Sequence, residues 1–170
     1  EEELKLKVNQ EKTKLTNVHE GVEFLGFVIL SKALVVNPKR IKRFKDKVRR
    51  ITRRNSGRKL ENIIIELNPV LRGWINYYRV ANIKGLTRDL MGWLRRRLRM
   101  VKMKQWKTYK AMHKEMRKLG IKGNGLKMAV TKWKNSNVHI IHQILPNKYF
   151  EDLGLIDMQK YEVGLLSNYY

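Results

Sequence analysis

The stretch that most constrains the fold is residues 67–80, LNPVLRGWINYYRV. Asn68 is of a type that often caps helix N-termini, and Pro69 suits the first helical position, where its missing N–H is no loss. This pair therefore predicts that a helix starts at Pro69 and continues to Ala81.

Helical spacing gives this segment two faces. Leu71, Trp74 with Ile75, and Tyr78 form an apolar face, whereas Arg72, Asn76 and Arg79 share a polar face that can hold an anion. Gly73 between them costs a helix about 1 kcal/mol relative to Ala. A close helix crossing or a nearby phosphodiester backbone would each explain this glycine.

The charge balance indicates a polyanionic partner. Thirty-eight Lys and Arg against fifteen Asp and Glu give a formal net charge of +23, which favours nucleic acid. A membrane surface is the alternative polyanion, but no apolar run approaches the roughly 20 residues of a spanning helix. We therefore expect no membrane partner. The chain contains no Cys, which excludes disulfides and thiolate zinc sites and fits an intracellular protein.

Residues 37–81 are predicted to form three helices. Asn37-Pro38 repeats the cap-and-proline start and opens a helix to about residue 54, in which ten Lys or Arg accompany one acid, Asp46. Because such a run repels itself without counter-charge, phosphate contacts are favoured over a merely solvated face. The second helix, residues 60–68, ends at Asn68, and the third is the helix from Pro69. The predicted core residues are Ile41, Phe44, Val48 and Ile51 in the first helix and Leu60, Ile63, Ile64 and Leu67 in the second.

Residues 1–36 carry the β-structure. Leu4, Leu6 and Val8 alternate with lysines, as in a half-buried strand. Residues 22–30 are apolar on both faces and can pair with residues 33–36 in a hairpin. Gly26 in the middle of this run indicates either a bulge or the close approach of another backbone.

Residues 82–170 read as helical. A helix over 86–104 places Leu90, Trp93 and Leu94 inward and Arg88, Arg95, Arg99 and Lys102 on one outer face, with Arg96 in the same RRRLR run. Guanidinium groups suit phosphate oxygens and unpaired bases, so structured RNA is the favoured ligand.

Shorter elements follow this helix. The spacing predicts a helix ending at Gly120, another around Leu126 to Trp133, a cap at Asn147 and a helix stop at Gly154. His139 and His142 offer half a metal site at most, because no third ligand accompanies them.

Three segments carry a resemblance to a known family. Leu-Asn-Pro-x-Leu-Arg-Gly-Trp-x-Asn-Tyr-Tyr resembles the thumb of group II intron reverse transcriptase/maturases, and LKLKVNQEKTK with EFLGF resembles the last two conserved blocks of the reverse transcriptase palm. The order of Trp133, Ser136, His139, Leu145-Pro146-Asn147 and Gly154-Leu155 resembles the end of the family's maturase domain X. The resemblance implies a mainly α fold with the end of the palm at 1–36, a three-helix thumb at 37–81 and domain X at 82–170.

The resemblance also implies roles for individual residues. Phe24, Leu25, Gly26 and Phe27 match a hairpin that grips the primer, and Lys12 matches a basic position near the phosphates of the incoming nucleotide. A solvated turn lysine is the alternative for Lys12. The expected nucleic-acid-binding residues are Lys39, Arg40, Arg43, Lys47, Arg50, Arg72, Asn76, Arg79, Arg88, Arg95, Arg96, Arg99 and Lys102.

Polymerase chemistry in this family needs carboxylates that hold two Mg²⁺ ions, normally including paired aspartates. No Asp-Asp occurs here, so this chain is expected to have no cofactor and not to polymerise alone. The abrupt start EEELKLKVN predicts a fragment or split product of a parent RNA-directed DNA polymerase. Mg²⁺ is expected for that parent and for the intron RNA. We expect a bacterial cytoplasmic location.

The leading hypothesis is an intron RNA-binding module that assists splicing. Its partners would be group II intron RNA, template–primer RNA/DNA and a missing palm and fingers domain. A helix-turn-helix DNA-binding protein and a structural RNA-binding protein of a ribonucleoprotein are the alternatives. The first predicts preference for a folded intron, the second preference for duplex DNA, and the third RNA binding without dependence on an intron.

Overall fold

A computed structural model describes residues 17–122 and 127–166. The predicted strand over residues 4–8 and Lys12 lie outside these described residues. Short 3₁₀ helices span Val18–Glu20, Trp133–Asn137 and Met158–Lys160. The strands and α-helices are β1 (Val22–Phe24), β2 (Phe27–Leu30), β3 (Ala33–Val36), α1 (Pro38–Ile51), α2 (Leu60–Tyr78), α3 (Lys84–Trp106), α4 (Tyr109–Lys118), α5 (His139–Ile144) and α6 (Asn147–Asp152). The prediction of a mainly α protein with an N-terminal hairpin is confirmed.

The three strands form an antiparallel meander in the order β1-β2-β3. Phe24 pairs with Phe27, and Phe27 pairs in turn with Val36 on the other side. The apolar run over 22–30 is therefore two strands rather than one, because Leu25 and Gly26 both take positive φ, 48° and 86°. Positive φ at both central residues is typical of a two-residue hairpin turn. Gly26 marks this turn and not a bulge.

Helix α1 begins as predicted. The Asn37 side chain accepts a hydrogen bond from the Lys39 N–H, and Pro38 occupies the first turn. Phe44, Val48 and Ile51 are buried. The helix ends at Ile51, three residues before the predicted end.

The predicted helix boundary at Asn68-Pro69 is wrong, because residues 60–78 form one helix with Pro69 inside it. An interior proline removes the hydrogen bond to the carbonyl four residues earlier, here Ile65. Ile65 and Pro69 lie on the exposed side of α2, where water can satisfy that carbonyl. The buried stripe continues in phase from Leu67 to Leu71, so burial maintains the helix through the proline. Residues 37–81 consequently contain two helices and not three.

Asn68 has a different role from the predicted cap. Its side-chain amide donates to the Gly154 carbonyl at 2.8 Å, and its oxygen accepts from the Ile156 N–H at 3.1 Å. These bonds attach the segment after α6 to the middle of α2. Gly154 has a φ of 87° and ends α6, as predicted.

One hydrophobic cluster extends from Phe27 in the sheet to Met158 near the described C-terminal end. Leu90, Leu94 and Leu98 of α3 are fully buried in it, and Trp93 is half-buried.

The predicted short helix around Leu126 to Trp133 is wrong for the residues described, because residues 127–132 are not helical. Instead, the Asn135 side chain donates to the Ala129 carbonyl at 2.8 Å and holds this connection against the 3₁₀ helix at Trp133–Asn137.

Candidate nucleic-acid interface

The tip of the β1-β2 hairpin is fixed against α2. The Tyr77 hydroxyl donates to the Leu25 carbonyl at 2.7 Å. A Cβ atom on Gly26 would lie only 3.1 Å from the Tyr78 hydroxyl oxygen, so glycine permits the turn to sit this close. Phe24 and Leu25 are 58% and 66% exposed. The tip therefore presents two apolar side chains to solvent on a rigid support.

Phe27 differs from its predicted role at the primer. Its ring is buried and packs against Tyr77 and Tyr78, with ring centroids 5.8 and 5.2 Å away. Because a buried ring is not available to a nucleic acid, Phe27 supports the hairpin and only Phe24, Leu25 and Gly26 lie at the accessible tip.

A cationic groove runs along α1. It has a volume of about 540 Å³ and is lined by Lys39, Lys42, Arg43, Asp46, Arg49, Arg50 and Arg53. Asp46, its one acid, forms an ion pair with Arg49 at 2.6 Å.

A second groove of about 560 Å³ joins α1 to the hairpin tip. Its lining is Glu23, Phe24, Leu25, Gly26, Asn37, Lys39, Arg40 and Arg43. Lys39 and Arg43 line both grooves, so one surface continues from the hairpin tip along α1. We call this surface the hairpin–α1 groove. Of the residues predicted on α1, it includes Lys39, Arg40, Arg43 and Arg50, while Lys47 is simply exposed.

The polar face of α2 is also where the sequence predicts it. Arg72 and Asn76 are exposed and Arg79 is half-buried. On the opposite face, Trp74 lies between Phe44 and Tyr78, with both ring centroids 4.9 Å from its own. The division of this helix into a packing face and a polar face is therefore correct.

The predicted outer arginine face of α3 is wrong at two of its positions. Arg95 and Arg99 are only 6% and 3% exposed. Arg95 forms an ion pair with Asp157 at 2.7 Å and lies 3.9 Å from Glu151. Both arginines are covered by the segment that contains α5, α6 and the residues after them. The periodicity of α3 could not predict that this segment packs there.

Arg99 is held by neutral acceptors. Its Nε donates to the Leu145 carbonyl and its terminal nitrogen to the Asn147 side-chain oxygen, each at 2.9 Å. Burial, with a smaller contribution from Arg95, lowers the pKa of Arg99 to about 10. Asn147, predicted as a helix cap, is instead the first residue of α6 and an acceptor for Arg99.

The other basic side chains predicted on the outer face of α3 are partly accessible. Arg88 is exposed beside Asp89, while Arg96 and Lys102 are half-buried. Arg96 lies over the Trp133 ring at 4.7 Å from its centre. Arg97, which the sequence did not single out, donates from Nε to the Thr52 hydroxyl at 2.7 Å and so joins α3 to the end of α1. The four arginines of the RRRLR run look alike in the sequence, which gave no signal to separate these roles.

No metal site is formed by the residues described. Within ranges 17–122 and 127–166, no group of three or more His, Asp or Glu could hold a metal ion. His139 and His142 both lie on α5, and burial, followed by the charges of Arg99 and His139, lowers the pKa of His142.

The fold and the groove together define the class of the protein. It is a basic, mainly helical protein with an elongated cationic surface. Residues 41–120 match a family described as the group II intron, maturase-specific domain. This match confirms the resemblance to the C-terminal maturase region of a group II intron reverse transcriptase and indicates a maturase function in group II intron splicing. A comparison with curated protein sequences finds no match. None of the helices described is long and apolar enough to cross a membrane.

Proposed function

We propose that the chain is the RNA-binding thumb and maturase module of a group II intron reverse transcriptase. It would bind group II intron RNA, assist its splicing and hold template–primer. The single observation that carries this proposal is the continuous hairpin–α1 groove, whose part along α1 beyond Arg40 lies within the segment that matches the maturase-specific domain.

The charge of the groove supports a phosphate ligand. Its lining contains seven different Lys and Arg side chains but only two acids, Glu23 and Asp46, each already paired with a groove cation. The remaining cations repel one another until an anion enters. A nucleic-acid backbone neutralises such a row and releases its own condensed counterions, which favours binding at low salt.

The module would assist splicing by binding the active fold of the intron RNA and so stabilising it. Group II introns cut and rejoin by RNA chemistry, so a protein that binds the active RNA fold more tightly than other folds increases the population of that fold. No catalytic residue in this chain is required for that effect. Exposed Arg72 and Asn76 on α2 offer further polar contacts to the same ligand.

The hairpin tip suits a role in holding template–primer. Phe24 and Leu25 are exposed apolar side chains next to the cations Lys39 and Arg40. Such a surface can contact a sugar or base edge while the cations bind the adjoining phosphates. Nucleotide addition itself would depend on a palm and fingers domain that supplies Mg²⁺-binding carboxylates.

A competition experiment tests the proposal. A labelled group II intron transcript is bound to the protein and displaced with the unlabelled intron, an unrelated structured RNA of equal length, or duplex DNA. We expect the intron to compete best, and added protein to raise the splicing rate of the transcript at limiting Mg²⁺. Best competition by duplex DNA would support a helix-turn-helix DNA-binding protein, and equal competition by both RNAs would support a general RNA-binding protein.

A further inference from the structure

Three cations surround one indole ring where α1 meets α3. The Lys45 ammonium nitrogen and the guanidinium carbons of Arg49 and Arg97 lie 5.7, 5.6 and 5.5 Å from the centre of the Trp93 ring. Trp93 is half-buried, so part of its ring reaches solvent.

The pattern continues at the next aromatic residue. Arg97 also lies 5.9 Å from the centre of the half-buried Trp133 ring, over which Arg96 packs at 4.7 Å. Arg97 thus lies near both rings and links the Trp93 cluster to Trp133. We call this set, Lys45, Arg49, Trp93, Arg96, Arg97 and Trp133, the Trp93 seam.

The positive charges of the seam are not all required to join α1 to α3. Arg97 is already fixed by hydrogen bonds to the Thr52 hydroxyl and to the Thr52 carbonyl, at 2.7 and 3.3 Å. Burial, followed by the nearby Arg49 charge, lowers the pKa of Arg97. Within the seam, Arg49 pairs with the Asp46 carboxylate at 2.6 Å. An additional anion at this position would relieve the repulsion.

The planar groups at the seam favour an anion that carries a planar base. An indole and several guanidinium planes offer faces on which a nucleobase can stack, and base–aromatic stacking accepts any base. A base inside a duplex has both faces covered by its neighbours, whereas an unpaired base has faces to offer.

We infer that the Trp93 seam binds an unpaired ribonucleotide, with its base against Trp93 and its phosphate at Lys45 and Arg49. This inference rests on the proposed function, because it names the part of the RNA that α3 would contact. Paired regions would contact the hairpin–α1 groove, and a single-stranded bulge or loop would contact the seam, with Arg49 shared where the two surfaces meet.

Two RNA probes test this division of roles. One is a 12-nucleotide single strand of mixed sequence, and the other is the same strand annealed to its complement. Trp93→Leu should weaken binding of the single strand about tenfold, in line with the loss of one stacked base, and binding of the duplex less than about twofold. Tyr109→Leu, which removes an exposed aromatic ring from α4, is the matched control and should change neither.

Two further variants keep the test decisive if Trp93→Leu is poorly folded. Trp93→Phe retains an aromatic ring and should bind the single strand, but should lose most of the tryptophan fluorescence quenching that this RNA causes in the natural protein. Lys45→Gln removes a phosphate contact and should weaken single-strand binding without altering the circular dichroism spectrum.

The outcomes separate the two proposals. If the natural protein binds neither probe, the proposed RNA-binding function fails. If both probes bind, and the Trp93 and Lys45 variants change their affinities equally or not at all, the seam only joins α1 to α3 and the inference is overturned.

Discussion

Arg95 donates a hydrogen bond to Asp157 across 2.7 Å, and the two side chains are only 7% and 9% exposed. The pair joins the middle of α3 to the segment that follows α6. Glu151, 3.9 Å from Arg95, is itself bound by Lys160 at 2.7 Å and extends the pair into a network. Arg95 therefore holds the fold together and is not available to bind RNA from the surface.

Replacing Arg95 with Gln should destabilise the protein by about 3–5 kcal/mol, because the Asp157 carboxylate would stay buried without its partner. Urea unfolding followed by circular dichroism measures this change. Arg88→Gln, on the exposed part of the same helix, is the control and should alter the free energy of unfolding by less than about 0.5 kcal/mol. Equal stability of the two variants would mean that the Arg95 pair is solvated.

The sequence predicted element type better than tertiary position. Asn37-Pro38 and the stripe through Phe44 and Val48 were sufficient for α1, because capping and periodicity are local. The same cap-and-proline signal failed at Asn68-Pro69, where a continuous buried stripe outweighs one missing hydrogen bond.

For the candidate site too, the sequence predicted the local features but not those that depend on distant residues. The basic groove on α1 follows from a local charge ratio of ten to one. The burial of Arg95 and Arg99, in contrast, depends on residues 46 or more positions later, Leu145, Asn147 and Asp157. No periodicity within α3 contains that information.

Asn68→Ala should loosen the segment after α6, because it removes both hydrogen bonds that attach Gly154 and Ile156 to α2. The expected cost is about 1–2 kcal/mol for two bonds, one exposed and one part-buried. Hydrogen exchange should show faster exchange of the Ile156 amide, whereas amides in the middle of α1 should keep their protection. Unchanged exchange at Ile156 would contradict the attachment.

Trp74→Ala should lower the free energy of unfolding by about 3–5 kcal/mol, because it opens a cavity between Phe44 and Tyr78. Ile65→Ala removes a side chain that is 68% exposed on the same helix and serves as the control. Calorimetric melting temperatures should separate the two variants clearly. Similar melting temperatures would mean that Trp74 does not lie on the buried face of α2.

His142 should titrate below its ordinary pKa of 6.5, since burial and the charges of Arg99 and His139 disfavour its protonated form. The unfolded chain then binds the proton more tightly than the folded one, so stability should fall as the pH drops below 6.5. NMR titration of the imidazole protons measures the pKa directly. His139→Gln removes one of the causes and should raise the pKa of His142 towards 6.5.

The salt dependence of intron RNA binding tests the role of the hairpin–α1 groove most directly. Binding of a group II intron transcript is measured over a range of salt for the natural protein, for Lys42→Gln/Arg43→Gln/Arg50→Gln in the groove, and for Lys110→Gln/Lys114→Gln/Arg117→Gln on α4. The groove variant should reduce the slope of log affinity against log salt by about three, one for each lost phosphate contact. The α4 variant has the same charge change and should keep the natural slope. Equal slopes for the two variants would contradict binding through the groove.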